Sequence, residues 1–345
     1  MLFLIHKLES KKKQMLEGKQ LILATKQFAN EIRWKSWFHT ISSLLLLTGL
    51  LIATATISNI WGRIVCSILS AMLLSRCFII FHDYQHHTIL PKSPFAKFLF
   101  TIFGIYMITP PNIWKRSHDH HHNHNAKLFS VSIGSFPIMT KQKFMEASKM
   151  DRFIYLSVRH PLNMFFAYFT TFMYGICIQS FLSNPRKHWD SLAVLIIHFS
   201  FAIFLIVNFG WLTWLLTFFL PFFLSHMLGS YLFYAQHNFP EVVFRNNVEW
   251  SYSNAALESS SYMAMNPILE WITANIGYHH IHHLNSRIPF YRLPEAMAKI
   301  PELQKVNITT LKPRDIIACL RLKLWDPDLN KMIPLDNELK ASVAR

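Results

Sequence analysis

Long apolar runs without charged residues constrain the fold of this chain more than any other feature. The first, Phe38–Ile60, has 23 residues and contains no Asp, Glu, Lys or Arg. A helix needs about 20 such residues to cross the hydrocarbon core of a bilayer. Charged residues make up 15% of the chain, whereas they make up about 25% of an ordinary soluble domain. The sequence therefore predicts a helical integral membrane protein.

The next two runs differ in length. Ile64–Phe81 is predicted to form a second span, paired with the first through a tight reversal at residues 61–63. Phe95–Ile108 has only 14 residues, which is too short to cross about 30 Å of hydrocarbon. We expect it to form a re-entrant or interfacial segment that ends at Pro110 and Pro111, because proline stops a helix.

Three histidine clusters lie at the polar edges of apolar segments, at residues 82–87, 118–124 and 279–283. They hold 12 of the 19 histidines, and the second and third share the spacing His-x-x-His-His. Residues i, i+3 and i+4 of a helix face one way, so each cluster can aim two or three imidazoles at one point. Neutral imidazole is the commonest metal ligand among side chains. Eight such ligands, with no cysteine nearby, predict two metal ions held by elements far apart in sequence.

The second half of the chain has three more apolar runs: Met164–Leu182, Ser191–Val207 and Phe209–Ala235. If all three crossed the membrane, the third histidine cluster would lie on the opposite side from the first two, so one run must not cross. The segment between the first two of these runs contains Arg186 and Lys187, and this positive charge indicates a cytoplasmic loop. We expect the first of the three runs to lie in or dip into the membrane and the other two to form a second hairpin. Hydropathy alone leaves the alternative pairing open.

The predicted fold class is an all-α integral membrane protein with two transmembrane helical hairpins, four spans in total. Re-entrant or interfacial helices and a helical cytoplasmic cap would complete it, with a histidine-ligated dimetal site in the cap. The expected organisation is a basic N-terminal cytoplasmic arm at residues 1–36, a membrane domain at residues 37–300 and a C-terminal cytoplasmic tail at residues 301–345. Amphipathic surface helices are expected near residues 21–37 and 140–163.

The net charge of +15 follows from this topology. Lysines and arginines cluster before the first apolar run, as expected for a cytoplasmic flank that is attracted to anionic lipid headgroups. These residues flank the membrane segments and do not form a motif that binds a groove of DNA or RNA. No nucleic-acid partner is therefore expected. The four cysteines are scattered and no Cys-x-x-Cys occurs, which argues against a disulfide framework and against a thiolate metal site.

The order His-x-x-x-His, His-x-x-His-His, His-x-x-His-His resembles the membrane fatty acid desaturase family, and most closely its bacterial acyl-lipid desaturases. The segment Trp114-Lys-Arg-Ser-His118 is similar to the family's lead-in to its second histidine box. Residues 277–293, Gly-Tyr-His-His-Ile-His-His-Leu-Asn-Ser-Arg-Ile-Pro-Phe-Tyr-Arg-Leu, are similar to its third box. Phe233-Tyr-Ala-Gln-His237 resembles the segment that supplies a further histidine ligand. The resemblance covers about residues 38 to 295.

The resemblance implies nine metal ligands: His82, His86, His118, His121, His122, His237, His279, His282 and His283. The first box is ambiguous, because His86 matches the acyl-lipid spacing and His87 matches the acyl-CoA spacing. The pattern of the whole chain favours His86.

Several other polar and aromatic residues are weaker candidates. His120, His124 and His280 are extra to the motif and are expected around the site or at the surface. Asp83 and Asp119 are candidates to accept hydrogen bonds from ligand imidazoles, which would fix the tautomers of the imidazoles; a solvated flank is the equal alternative for both. The histidines outside the clusters are expected to be packed side chains: His6, His39, His160, His188, His198 and His226. Six aromatic residues are expected to pack or to face lipid, with lining of an acyl tunnel as the alternative: Trp211, Trp214, Phe218, Phe219, Phe222 and Phe223.

The implied function is an O2-dependent fatty acid (acyl-lipid) desaturase that introduces a C=C double bond into a fatty acyl chain through a histidine-ligated diiron centre. A methylene C–H bond has no acidic proton, so a base cannot remove its hydrogen. Activated O2 must therefore abstract hydrogen atoms. Loss of two neighbouring hydrogens gives the alkene, whereas return of oxygen to the carbon gives an alcohol. A diiron membrane hydroxylase of alkyl chains, carotenoids or sterols is therefore the alternative. A metal transporter is disfavoured, because the clusters lie at segment ends rather than at the bilayer midplane.

The resemblance implies two non-haem iron ions, O2 as co-substrate and an external electron donor. The sequence contains no haem-binding His-Pro-Gly-Gly, no cysteine set for an iron–sulfur cluster and no Gly-x-Gly-x-x-Gly. We therefore expect a separate ferredoxin- or cytochrome-like donor. Five basic cytoplasmic residues are candidates to dock it, with positive charge that simply flanks the membrane segments as the equal alternative for each: Lys115, Arg116, Lys127, Arg287 and Arg292. The expected protein is multi-pass, has its active site on the cytoplasmic face and acts on a fatty acyl lipid. The double-bond position, chain length and acyl carrier are not predicted.

Overall fold

The computed structural model describes residues 16–128 and 136–336 and is mostly helical. His6 lies outside the described residues. The helices are, in chain order, α1 (Gly18–Thr25), α2 (Arg33–Thr56), α3 (Ile60–Gln85), α4 (Pro94–Tyr106), α5 (Pro111–His124), α6 (Lys141–Glu146), α7 (Lys149–Val158), α8 (Pro161–Phe165), α9 (Gln179–Ser183), α10 (Trp189–Phe209), α11 (Trp211–His237), α12 (Tyr252–Glu258), α13 (Pro267–Ile272), α14 (His279–Leu284), α15 (Leu293–Lys299) and α16 (Pro313–Arg321). The strands are β1 (Tyr262–Ala264), β2 (Ile308–Thr310), β3 (Leu322–Asp326) and β4 (Lys331–Pro334).

Within the described residues, four helices are long and apolar enough to cross a membrane. These are α2, α3, α10 and α11, with 24, 26, 21 and 27 residues. The predicted number of membrane-length helices is therefore confirmed by length and composition. The apolar run Met164–Leu182 is divided among α8, a π-helical segment at Tyr168–Ile178 and α9. Its course relative to the bilayer stays a prediction.

The link between α2 and α3 lies earlier than the sequence suggested. The predicted reversal at residues 61–63 is wrong, because these residues form the first turn of α3 and the chain turns at residues 57–59. Asn59 is the reason, since its side-chain oxygen accepts a hydrogen bond from the backbone N–H of Gly62 at 3.0 Å. Asparagine at this position satisfies one of the donors left free at a helix start.

Helix α3 is the central helix of the membrane region, since it packs against both α2 and α11. Small side chains allow the helix backbones to approach closely where lipid provides no hydrophobic driving force. The buried small residues of α2 and α3 include Ser36, Thr40, Ser43, Ser67, Ser70 and Ala71. The hydroxyls of Ser75 and Ser225 lie 3.0 Å apart and join α3 to α11.

Arg76 of α3 is fully buried and connects the helices to the cap. Its Nε donates to Ser43 Oγ at 2.8 Å, and its Nη2 lies 3.1 Å from His39 Nδ1. Its guanidinium stacks on the Trp271 ring at 4.1 Å, and its Nη1 donates to the Trp271 carbonyl. A charge in a membrane segment is costly unless it faces protein partners, and these contacts supply them. Arg76 thereby holds α13 against the membrane helices.

The predicted amphipathic helices are each broken. The segment at residues 21–37 consists of the end of α1, a 3-10 turn at Lys26–Phe28 and the start of α2. The segment at residues 140–163 contains α6 and α7, and Ser148 between them caps α7 by accepting a hydrogen bond from Asp151 N at 3.1 Å. Capping residues inside these stretches end one helix and begin the next. The spacing of apolar residues does not reveal such breaks.

The cap contains strands, so the expectation of an all-α fold is wrong in this region. Strands β1 and β2 pair in parallel, with Tyr262 opposite Ile308, and β3 and β4 pair antiparallel. Strands β1 and β2 have only three residues each. Such short strands carry too little alternation to be read from sequence.

Residues of both chain flanks contribute to the packed core. Leu21 and Phe28 are buried in the same hydrophobic cluster as α3 and α14, and Leu303 belongs to it as well. Leu324 of β3 is buried against Tyr155. The division into an arm at residues 1–36, a membrane domain at residues 37–300 and a tail at residues 301–345 stays a prediction.

Candidate metal centre

Four helices carry the nine histidines that the sequence analysis predicts as metal ligands. His82 and His86 lie at the C-terminal end of α3, and His237 ends α11. The second cluster lies on α5 and the third on α14. The structure brings all nine together in two groups, within each of which the ligand atoms lie within 4.8 Å of one another.

The five-histidine group consists of His82, His86, His118, His122 and His282. Its Nε2 atoms converge: His82 and His118 are 2.7 Å apart, His118 and His86 are 3.0 Å apart, and the other close pairs are separated by 3.1 to 3.2 Å. Two imidazole nitrogens that each lie about 2.0–2.1 Å from one ion, at right angles, are about 2.9 Å apart. The separations therefore fit ligands that share one metal ion.

The four-histidine group consists of His121, His237, His279 and His283. The Nε2 of His237 lies 3.1 Å from that of His121 and 2.9 Å from that of His279, and the His279 and His283 nitrogens are 3.2 Å apart. The His237 Nδ1 lies 3.0 Å from the carbonyl oxygen of Ser259 and donates to it. That hydrogen bond leaves the Nε2 lone pair free for a metal ion.

The His-x-x-His-His spacing divides each box between the two groups. On α5 the i and i+4 residues, His118 and His122, belong to the five-histidine group, and the i+3 residue His121 belongs to the other. On α14 the allocation is reversed, since the i+3 residue His282 joins the five-histidine group. The two groups therefore lie side by side, with the stacked rings of His122 and His283 4.2 Å apart at their common border.

The protonation states suit metal binding. Burial, together with the neighbouring imidazoles, holds the pKa values of the ligand candidates on α5 and α14 well below the ordinary value for histidine. The same causes lower the pKa of His86. Imidazoles with depressed pKa values stay neutral, and the neutral form is the one that binds metal. An all-nitrogen donor set suits iron, copper or zinc.

The structure separates the ambiguous and extra residues. His86 lies in the five-histidine group, whereas the neighbouring His87 is exposed and has a φ of +56°. His120 and His124 stack on each other with ring centroids 4.0 Å apart. His280 is buried, and its Nε2 donates to the Leu303 carbonyl at 3.0 Å. None of these four belongs to either group.

The two aspartates have different surroundings. The Asp83 carboxylate is buried, lies 3.4 Å from His82 Nδ1 and accepts a hydrogen bond from the Phe290 N–H at 2.8 Å. Asp83 therefore adjoins a ligand candidate, as expected. Asp119 instead forms an ion pair with Lys115 at 2.8 Å on the surface of α5, which agrees with the alternative of a solvated flank.

The histidines outside the clusters have other partners. His226 Nδ1 donates to the Phe222 carbonyl at 2.7 Å, and His198 Nε2 lies 2.5 Å from the Tyr168 hydroxyl. The contacts of these two buried residues agree with the expectation of packed side chains. His160 is exposed and caps α8, because its Nδ1 accepts a hydrogen bond from the Leu162 N–H at 3.1 Å.

An apolar cavity of about 150 Å³ adjoins both histidine groups. Four of its lining residues are histidines of the groups: His82, His118, His121 and His279. Phe78, Trp114 and Phe233 also line it, and each lies four positions before a histidine of the two groups on the same helix. Residues four positions apart on a helix are neighbours on one face. The sequence alone could therefore have indicated that these three aromatic residues lie beside the histidines.

The six aromatic residues considered from the sequence as tunnel lining do not line this cavity. Phe218 is buried with its ring 4.7 Å from that of His198, and Phe222 packs on Tyr106 at 4.8 Å. These contacts show the packing role that the sequence analysis favoured.

The third box depends on Gly277, and its replacement by alanine is expected to unfold the site. A Cβ at this position would lie 2.5 Å from the Met263 carbonyl oxygen, a backbone atom of β1. Overpacking typically costs about 1–3 kcal/mol, so Gly277→Ala should lower the thermal unfolding midpoint in detergent and the amount of bound metal. Gly49→Ala is the control, since no atom lies within 4 Å of a Cβ there. Equal unfolding midpoints and metal contents in the two variants would contradict the prediction.

These features define a membrane protein with a buried multi-histidine site that can hold metal ions beside an apolar cavity. The family model described as fatty acid desaturase matches residues 58–310. A fatty acid desaturase of Bacillus subtilis (strain 168) is 30% identical over 272 residues, which cover 77% of this chain and 76% of the relative. The sn-1 oleoyl-lipid 12-desaturase of Synechocystis is 25% identical over 66% of this chain and 65% of its own length. The sn-1 acyl-lipid omega-3 desaturase (ferredoxin) of Nostoc is 23% identical over 77% and 75%, respectively.

The chain belongs to the fatty acid desaturase family. It is an oxidoreductase that desaturates fatty acids, and the hydroxylase alternative is not favoured. Enzymes of this family use iron, and the two histidine groups could hold metal ions.

Proposed function

We propose that the chain is an O2-dependent acyl-lipid desaturase whose nine histidines hold two iron ions. The observation that carries the proposal is the placement of the two groups against the apolar cavity. Five nitrogens would surround one iron and four the other. When bound, the pair of irons supplies the oxidising power that hydrogen-atom abstraction from a methylene group requires. The names of the Synechocystis and Nostoc relatives support a lipid-bound acyl chain as the substrate.

The reaction requires electrons from outside the chain. Desaturation removes two hydrogen atoms from the acyl chain, and reduction of O2 to two waters takes up four electrons and four protons. Two electrons and two protons come from the substrate, so the other two electrons come from a separate donor and the other two protons from solvent. The name of the Nostoc relative includes ferredoxin, which supports a donor of this type. Exposed Arg287 is a candidate contact for an acidic donor surface.

The protein's own residues would bind and orient the acyl chain. The cavity is bordered by Phe78, Trp114 and Phe233 beside the histidines, and by Ser225 and Gly229 further along α11. An apolar chain in this space excludes water from the reacting carbons. Positioning on a scale of about 1 Å would decide between removal of the second hydrogen and oxygen insertion.

The membrane arrangement belongs to the same proposal. Helices α2 and α3 would form one hairpin and α10 and α11 the other, with the segment at residues 161–183 lying in or dipping into the membrane. The histidine groups would then face the cytoplasm, because the basic N-terminal region favours that side. The location of the metal centre at the ends of α3 and α11 supports a site at the membrane boundary.

The direct test is gas chromatography–mass spectrometry of total fatty acids from a host that expresses this chain. A His283→Ala variant is the control, since His283 belongs to the four-histidine group. We expect a product two mass units below its parent acid with the wild-type chain only. An oxygenated product would favour the hydroxylase instead, and the same product in the control would contradict the assignment of the metal centre.

The cavity assignment predicts that Gly229→Phe restricts chain length. Gly229 lines the cavity, and no atom lies within 4 Å of a Cβ built there. It precedes His237 by eight positions, or about 12 Å along the helix axis. A phenyl group would obstruct the far end of a long acyl chain, and displacement by about 1 Å can slow a reaction about a hundredfold. The ratio of long-chain to short-chain products should fall on the order of tenfold in lipid analysis.

The matched control for chain length is Gly49→Phe, which places the same ring on an exposed position of α2 outside the cavity. It should leave the product ratio as in the wild type. An unchanged ratio in Gly229→Phe, with the protein folded and metal-loaded, would show that the acyl chain does not occupy this cavity.

A further inference from the structure

Two histidines of α5 belong to neither metal-binding group and yet lie beside one of them. His120 and His124 are four positions apart and half-buried. They line a second cavity, of about 70 Å³, together with His121 and His237 of the four-histidine group. This cavity, which we call the side recess, therefore brings two additional imidazoles next to two ligands of a proposed metal site.

The spacing of His120 and His124 is that of a metal-binding pair. Histidines at positions i and i+4 of a helix share one face, and pairs with this spacing bind zinc in metalloproteases. The His124 Nδ1 lies 3.0 Å from the His120 carbonyl oxygen and donates to it. This bond leaves the Nε2 lone pair of His124 available to a metal ion, as the bond to the Ser259 carbonyl does for His237.

The orientation of the rings distinguishes this pair from the i, i+4 pairs inside the two groups, which are His82–His86, His118–His122 and His279–His283. In those pairs the ring planes meet at 74 to 77° and the ring centroids are 4.6 Å apart. The rings of His120 and His124 are instead stacked, with planes 18° from parallel and centroids 4.0 Å apart. Stacked rings direct their in-plane lone pairs side by side, so one ring must turn before both can bind one ion. A site that must rearrange first binds its ligand more weakly.

The rest of the lining also favours brief rather than permanent binding of a metal ion. No aspartate or glutamate is among the described residues that line the side recess, so no carboxylate adds to the imidazoles. Its two basic residues have other partners: the Lys127 Nζ lies 5.3 Å from the centre of the Trp250 ring, and the fully buried Arg159 donates to Asn238 Oδ1 at 2.5 Å. Their positive charges weaken the binding of a cation nearby. The imidazoles are therefore the principal metal-binding groups of the recess.

We propose that His120 and His124 form a transit site that captures a ferrous ion and passes it to His121 and His237 as the four-histidine group is loaded. The inference rests on the proposed function, because it requires that group to hold an iron ion. Successive residues of an α-helix point about 100° apart, so His120 and His121 occupy neighbouring faces of α5, and both line the side recess. An ion held beside a second site has an effective concentration there on the order of millimolar. The transit site therefore matters most when free metal is scarce.

The test follows metal uptake by the full-length, metal-free protein in detergent without oxygen. Cobalt(II) is the probe, because it accepts imidazole ligands and its visible absorption changes when the protein binds it; ferrous iron is measured in parallel by elemental analysis. At micromolar metal, the double variant His120→Gln/His124→Gln should fill the four-histidine group on the order of tenfold more slowly than the wild type. At millimolar metal the two rates should agree, because direct entry from solution then competes with transfer. The final metal content and the desaturation rate of the fully loaded protein should be the same in both.

Two further variants connect the slower uptake to the side recess. His87→Gln removes an imidazole from an exposed position outside the recess and should take up metal as the wild type does. His237→Ala removes a ligand of the four-histidine group, so the phase of uptake that it abolishes identifies the filling of that group. The double variant should slow this phase alone, because no histidine of the five-histidine group lines the recess.

The outcomes distinguish this inference from the proposed function. Equal uptake rates of the double variant and the wild type at micromolar metal would overturn the transit site and leave the desaturase standing. A slower rate that persists at millimolar metal would also overturn it, because a distorted metal centre would then explain the loss. An additional ion that the wild type retains and the double variant lacks would make the pair a permanent site instead. No metal bound at the four-histidine group of the wild type would overturn the proposed function and the inference together.

Discussion

Replacing His86 with alanine is expected to lower desaturation by more than about a hundredfold, whereas His87→Ala should leave it within about twofold of the wild type. His86 contributes one of the five converging Nε2 atoms, and His87 is exposed with its backbone at a φ of +56°. Loss of even an outer partner of a metal ligand typically costs about 10- to 100-fold in affinity or activity, so loss of a ligand should cost at least as much. A surface substitution typically changes stability by less than about 0.5 kcal/mol.

The two variants form a matched pair, because they remove the same side chain from adjacent positions. Product formation by gas chromatography and iron content per chain by elemental analysis would be measured together. The expected iron content falls below two per chain in His86→Ala only. Full activity and iron in that variant, or loss of both in His87→Ala, would assign the first box to the other histidine.

Removal of iron is expected to abolish activity and to lower thermal stability, and zinc is expected to restore only the stability. Nine imidazoles converge in the structure, with Nε2 separations of 2.7 to 3.2 Å. Without an ion these lone pairs face one another, and a metal ion that binds only the folded state stabilises that state by mass action. Zinc accepts imidazole ligands but has no redox chemistry, so it can fill the site without supporting oxidation.

The experiment would compare chelator-treated protein with protein reloaded with ferrous iron or with zinc. Thermal unfolding in detergent and product formation with reduced ferredoxin are the two readouts. We expect both metals to raise the unfolding midpoint and iron alone to restore product. Activity with zinc would contradict a redox role of the site. An unchanged midpoint in the metal-free protein would show that the histidine groups do not hold an ion in the folded chain.

The sequence predicted the membrane-length helices well and their boundaries less well. The first apolar run, Phe38–Ile60, corresponds to α2 at Arg33–Thr56. The helix begins earlier because Arg33 and Lys35 continue it with little loss of helix propensity. It ends earlier because the side chain of Asn59 starts α3. Hydropathy records where a segment is apolar, whereas capping and propensity decide where a helix begins and ends.

The strands of the cap and the apolar cavity could not be read from the sequence. Strand β1 pairs with β2 across more than 40 positions of chain, and each has only three residues. The apolar cavity takes its lining from α3, α5 and α11, among other elements. Such sets depend on the angles and distances at which separate helices pack, and local periodicity contains no information about either.

The sequence by itself determined which histidines can act together on one helix. The spacing His-x-x-His-His places the i, i+3 and i+4 imidazoles on one side of a helix, because an α-helix has about 3.6 residues per turn. Only the tertiary structure decided how the nine divide into groups of five and four. It also decided that α5 and α14 contribute to the two groups in opposite proportion. The physical reason is that helical periodicity acts over a few residues, whereas the meeting point of the imidazoles depends on how distant helices pack around it.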